Sequence, residues 1–188
     1  MYFDGSKMLA GSGAGIVLTS PTGDVVQYVL QLLYTDSNNG AKYEALLHGL
    51  RMAVSMGIQH LEVRGDSNLA ISQINGDFDA KDPKMAAYCT AVLKMPARFE
   101  GLEFHHVARE SNQAADVLAR ISAKSEPVPP NIFLKRLFKP SVVWQDENGE
   151  GNADLITPPT AEHNTDNIGS PDIEITPSAH EIMVVIAP

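Results

Sequence analysis

Asn39-Gly40-Ala41-Lys42-Tyr43-Glu44-Ala45-Leu46-Leu47-His48-Gly49-Leu50-Arg51-Met52-Ala53-Val54-Ser55-Met56 is followed closely by Leu61-Glu62-Val63-Arg64-Gly65-Asp66-Ser67-Asn68. In the first stretch Tyr43, Leu46, Leu47, Leu50, Ala53 and Val54 recur at the spacing that lines apolar groups along one face of an amphipathic helix, and Gly57 supplies a stop. In the second, Leu61 to Gly65 reads as a strand, and Asp66-Ser67-Asn68 opens a further helix to about Asn75 with a side-chain oxygen placed to cap its first turn. A strand, a helix and a strand in series imply a crossover connection.

Upstream, Met1-Tyr2-Phe3-Asp4-Gly5-Ser6 predicts a short strand running into a turn, and Ala14 to Thr19 a second strand. Ser20-Pro21-Thr22-Gly23-Asp24 turns the chain into a third apolar run, Val25 to Leu33, so the opening reads as an antiparallel meander. Gly11-Ser12-Gly13-Ala14-Gly15 has the composition of a phosphate-binding loop, but no helix follows it, which favours loop and strand entry. Downstream, Asp82-Pro83 opens a helix to about Phe99, Leu102 to Val107 is a strand, and Ser111-Asn112 caps a last helix ending near Ala123. The expected fold is α/β: a layered domain on a five-stranded mixed sheet, three antiparallel strands then two crossover strands, with helices on both faces.

The composition changes after Lys124. Residues 1–124 form the expected domain, and 125–145 a Pro-rich linker whose apolar segment Ile132 to Phe138 is expected to dock as a short helix. Residues 146–188 hold 9 acidic and no basic side chains, so the net charge of −9 lies entirely there. That tail has too few large apolar groups to offset the entropy of ordering it and is expected to be disordered, although Ile182 to Ile186 could pair as an edge strand. Residues 1–145 balance 14 acidic against 14 basic groups, which leaves nucleic-acid binding to local patches rather than a global field. Cys89, the single cysteine, excludes an intrachain disulfide and a multi-cysteine metal site and reads as a buried thiol. With no long apolar span and no secretion signal, a soluble intracellular protein is expected.

Three aspartates stand out: Asp4 at the end of the first strand, Asp66 at the end of the fourth, and Asp116 in the last helix. Singly they read as a turn residue, a helix cap and a solvent-facing helix residue. As a set at one sheet edge they form a carboxylate cluster, which is costly unless neutralised by a cation, and oxygen ligands of this kind suit Mg²⁺ or Mn²⁺.

Tyr2-Phe3-Asp4-Gly5-Ser6, Ser37-Asn38-Asn39, Arg64-Gly65-Asp66-Ser67 and Asn112-Gln113-Ala114-Ala115-Asp116, in this order, resemble the motifs of type 1 ribonuclease H over about residues 1–123. With His105-His106-Val107-Ala108-Arg109-Glu110, the chain looks closest to the ribonuclease H domains of plant long-terminal-repeat retrotransposon polyproteins, whose neighbours are reverse transcriptase and integrase. The resemblance implies a ribonuclease H-like fold and cleavage of the RNA strand of an RNA–DNA hybrid by two Mg²⁺ ions. On that pattern Asp4 would bridge both ions, Asp116 would hold the water-side ion and Asp66 the leaving-group-side ion. Asn38, Asn39, Arg109 and Asn112 would contact substrate, Asn38 and Asn39 in the minor groove where 2′-hydroxyls mark RNA. Helix capping for the asparagines and a surface ion pair for Arg109 are the structural alternatives.

The sequence departs from the pattern at one ligand. The family's fourth carboxylate, a glutamate in the first turn of the first helix, is here Lys42. The exchange reverses the local charge and is expected to bring an ammonium to Asp4 or Asp66, where it would crowd a metal ion. Glu44 does not replace the lost ligand, because two residues along a helix is a rotation of about 200°. Glu44, His48, Arg51 and Ser55 instead read as one solvent-facing polar stripe. His105 and His106, consecutive on a strand, face opposite ways and are not read as catalytic bases. The helix from Pro83 offers only Lys84, Lys94 and Arg98, so hybrid affinity is expected to be modest and salt-sensitive.

Overall fold

A computed structural model of the chain describes residues 1–77 and 79–145, together with 148, 149 and 151. The expectations of a disordered tail and of an edge strand at Ile182 to Ile186 therefore lie outside the described residues, apart from those last three. Strands β1 (Tyr2–Met8), β2 (Gly11–Thr19) and β3 (Val25–Leu32) form the antiparallel meander, and helix α1 (Asn38–Ser55) crosses to β4 (His60–Gly65). Helices α2 (Asn68–Asn75) and α3 (Pro83–Leu93) lead to β5 (Gly101–His106), and α4 (Gln113–Ala123) to a last strand, β6 (Phe133–Leu137). The sheet order is β5-β4-β1-β2-β3-β6. This is the ribonuclease H-like α/β fold with one strand more than expected. No described helix is long and apolar enough to cross a membrane.

Local chemistry sets the boundaries. The Ser37 hydroxyl accepts from Gly40 N at 2.9 Å and so caps α1, which leaves Asn38 and Asn39 inside its first turn rather than in the capping role. Asp82 caps α3 through Met85 N, with Pro83 in the first turn where its missing N–H costs nothing. That helix ends at Leu93, short of the expected Phe99, because Pro96 lacks an N–H and disfavours helical geometry in the residue before it; a 3₁₀ turn, Pro96–Arg98, follows.

The larger core lies between the sheet and α1 to α3, with Phe3, Ile16, Leu30, Leu46, Leu50, Val63, Tyr88 and Val92 fully buried. The smaller core, Val17, Val29, Ala115 and Leu118, sits under α4 on the other face. Gly15 makes this second layer possible, since a Cβ there would meet the Ala115 carbonyl and, at 2.7 Å, Leu118 Cβ. The glycine-rich run is thus a strand over which a helix packs closely, in keeping with the reading that rejects a phosphate loop.

Two expectations are corrected. Ile132 to Phe138 does not dock as a helix: Phe133–Leu137 adds to the sheet parallel to β3, with Tyr28 opposite Phe133 and Leu32 opposite Leu137. The rings of Tyr28 and Phe133 stack at 4.8 Å, and Leu137 is buried, so cross-strand pairing outweighs the local pattern. The polar stripe of α1 does not face solvent at its N-terminal half, because residues 139–145 fold over it. Glu44 is 0% exposed and His48 7%, whereas Arg51 and Ser55 are exposed as expected.

Candidate active site and nucleic-acid interface

Asp4 lies in the middle of β1 and Asp66 directly after β4, two parallel neighbours whose register sets Phe3 opposite Gly65. That pairing brings the two carboxylates together. Gly5 brings the third group in: its missing Cβ lets the backbone of Ala41 and Lys42 lie directly on β1. Lys42 Nζ consequently stands 2.8 Å from Asp4 Oδ1 and 2.7 Å from Asp66 Oδ1. All three side chains are largely shielded, at 14% exposure for Lys42, 5% for Asp4 and 11% for Asp66.

Burial raises the pKa of Asp4, against the opposing pull of Lys42 and the Gly5 N–H. Burial works against the charged form of Lys42, yet its hydrogen bonds and attraction to Asp4 and Asp66 prevail and its pKa is raised. The ammonium therefore stays charged through the neutral range and carries out the neutralisation that a carboxylate pair requires.

Asp116, in the first turn of α4, is engaged elsewhere. Arg120 reaches it at 2.6 Å and Arg109 at 3.5 Å. The Arg109 side chain is 68% exposed, so the arginine before α4 makes the surface ion pair while most of its length remains in solvent. Among the described residues no three His, Cys, Asp or Glu side chains gather into a group that could hold a metal ion. As it stands this donor set does not fit a pair of divalent cations: two carboxylates share an ammonium and the third is clasped by guanidinium groups.

The remaining expected site residues divide. Asn38 and Asn39 are exposed at the start of α1, on the same helix turn that carries Lys42, and Asn38 Oδ1 accepts from Lys7 N at 3.0 Å. Asn112 is 1% exposed and its amide donates to the Phe3 carbonyl at 3.0 Å, so it pins α4 to β1 and has no open face for a substrate. His105 is paired with Glu103 at 3.1 Å on the outer face of β5.

One polar group escaped the reading of the sequence. Glu44 Oε1 accepts from Tyr34 OH at 2.8 Å, Tyr88 OH at 2.6 Å and Ser141 N at 2.7 Å, and the carboxylate lies 3.6 Å from His48 Nε2. Its three hydrogen-bond donors come from β3's exit, α3 and residue 141, so no local pattern could have revealed its burial.

The fold and the paired carboxylates, Asp4 within β1 and Asp66 directly after β4, define a ribonuclease H-like domain. The family model described as reverse transcriptase-like matches residues 2–122, and the chain belongs to that family. Ribonuclease HI of Halobacterium salinarum is 35% identical over 120 residues, covering 63% of this chain and 60% of that protein. A bifunctional protein of Mycobacterium tuberculosis is 31% identical over 110 residues, 58% of this chain and 30% of that protein. The match thus spans 60% and 30% of the length of these two relatives. Among solved structures, RNase H1 from Halobacterium salinarum superposes with a TM-score of 0.60 at 29% identity, covering 66% of this chain and 96% of that one. LC11-RNase H1, solved in complex with RNA/DNA hybrid, gives 0.57 at 26% identity, with 66% and 95% covered.

Proposed function

We propose that this domain binds RNA–DNA hybrid and is of the ribonuclease H class, with hydrolysis of the RNA strand strongly impeded by Lys42. The observation that carries the reading is the Lys42 bridge between Asp4 and Asp66. An ammonium and a divalent ion about 4 Å apart repel by about 8 kcal/mol at an effective dielectric of about 20, twice the value for two unit charges. Mg²⁺ or Mn²⁺ at Asp4, Asp66 and Asp116 would supply the hydrolytic chemistry of the class, and Lys42 competes for that position.

Hybrid binding does not require the metal ions. Asn38 and Asn39 stand exposed on the first turn of α1, where amide groups can read 2′-hydroxyls, and Arg109 projects into solvent beside Asp116. The hybrid complex of LC11-RNase H1 supports the same ligand for this fold. An origin in a retroelement polyprotein with reverse transcriptase or integrase neighbours belongs to the same proposal and is carried by the motif resemblance alone.

The test is binding of labelled RNA–DNA hybrid and of DNA duplex of the same sequence, with and without Mg²⁺. Preference for hybrid in both conditions supports the reading. Equal affinity for the two duplexes, or no binding, refutes it.

A further inference from the structure

Residues 133–145 lie beyond the stretch matched by the family model, yet they are fastened to the body at both ends. At one end β6 extends the sheet. At the other, Ser141 N donates to Glu44 Oε1, Ser141 Oγ lies 2.9 Å from His48 Nε2, Val142 is buried, and the Trp144 ring lies over the ammonium of Lys84 at 4.8 Å from its centroid.

Lys84 continues the chain of contacts inward. Its Nζ reaches Asp36 Oδ1 at 2.5 Å, and Asp36 is buried at 3% exposure. The Asp36 carboxylate accepts from Ser37 N at 2.7 Å, and it lies so close against Gly40 that any Cβ there would collide with it. Ser37 caps α1, and Asn38 and Asn39 follow at once. Burial raises the Asp36 pKa while Lys84 opposes it.

From this we infer that the strap 139–145 is a positioning element for the hybrid-contacting end of α1, acting through Trp144, Lys84 and Asp36; the inference rests on the hybrid-binding reading above. A buried carboxylate holds its geometry only while its cation is held, and Trp144 covers the outer side of that cation. Loss of the cover lets water reach Lys84, loosens Asp36 from Gly40, and frees the turn that presents Asn39.

The test compares the full chain with Trp144→Leu and Lys84→Met, each also in an Asn39→Ala background. Hybrid and DNA-duplex affinities are measured at one salt concentration, with amide exchange at Gly40 and Ala41 followed alongside that at Leu118 and Ala119. Trp144→Leu is expected to weaken hybrid binding about threefold, the scale of one cation–π contact. Lys84→Met should weaken it more, and neither should add to the loss in Asn39→Ala. Exchange should quicken at Gly40 and Ala41 and stay unchanged in α4. Full additivity with Asn39→Ala, unchanged hybrid affinity, or quickening that is equal in α1 and α4 would each overturn the inference. If the natural chain binds no hybrid, the functional reading fails by itself, and the exchange pattern still decides whether the strap orders this turn.

Discussion

The ammonium of Lys42 stands 2.7 Å from Asp66 Oδ1 and at the same time 2.8 Å from Asp4 Oδ1, so one side chain from α1 ties the interior of β1 to the exit of β4. A protein-borne cation there removes the need for a bound one. The melting temperature of the natural chain is accordingly expected to be insensitive to Mg²⁺. Lys42→Glu places three carboxylates together, and is expected to melt lower without divalent ions and to recover as Mg²⁺ is added. Calorimetry over a Mg²⁺ series checks both; equal Mg²⁺ dependence of the two proteins would contradict the account.

Glu44 is an anchor of the fold. Glu44→Ala leaves two tyrosine hydroxyls and the Ser141 N–H without their common acceptor. A loss of about 3 to 5 kcal/mol is expected from urea unfolding, because the abandoned donors are shielded from water. A change below about 1 kcal/mol would mean that the exit of β3 and the strap relax freely.

His48 links stability to pH. Burial, the largest influence, lowers its pKa from 6.5 to about 4, with Glu44 pulling it upward and Lys135 and Arg51 pushing it further down. In the unfolded chain the imidazole takes up a proton at its ordinary pKa, so between these two values the unfolded state binds more protons. Stability present above pH 6.5 is therefore lost as pH falls towards about 4. The raised pKa of Asp4 and of Asp36 acts in the opposite sense within the carboxylate range, since the folded state holds those protons more tightly. The His48 contribution to the loss between pH 7 and pH 5 is about 2 kcal/mol. His48→Gln should flatten this slope, as read by urea unfolding at the two pH values; an unchanged slope would remove His48 as its source.

Asn112 joins α4 to β1. Asn112→Ala deprives the buried Phe3 carbonyl of its donor and is expected to cost about 1 to 3 kcal/mol. The loss should appear in unfolding midpoint while hybrid affinity of the folded protein changes little, which distinguishes a packing role from substrate contact.

What the sequence disclosed and what it hid divide along sequence separation. The helix under Tyr43, Leu46 and Leu50 and the strand from Leu61 are written in local periodicity, and the structure has both. The meander and the last helix are likewise local. Glu44 looked like a surface residue because its three donors lie 10, 44 and 97 residues away. The strand at Phe133 looked like a docking helix because its pairing with Tyr28 is non-local, and Leu137, its only buried residue, gives no alternation. The end of α3 was legible in Pro96 but outweighed by the apolar run around it. At the site, motif order indicated Asp4, Asp66 and Lys42, while the contact between them depends on the closeness of α1 at Gly5. The buried setting of Asn112 and the two arginines on Asp116 depend on how α4 sits on the sheet, which no spacing encodes.

The most direct measurement is cleavage of a labelled RNA–DNA hybrid by the natural chain and by Lys42→Glu over a wide Mg²⁺ range. The natural chain is expected to show little or no cleavage and Lys42→Glu a gain of at least about tenfold, a difference of about 1.4 kcal/mol in barrier. Cleavage by Lys42→Glu no faster than by the natural chain at any Mg²⁺ concentration would contradict it.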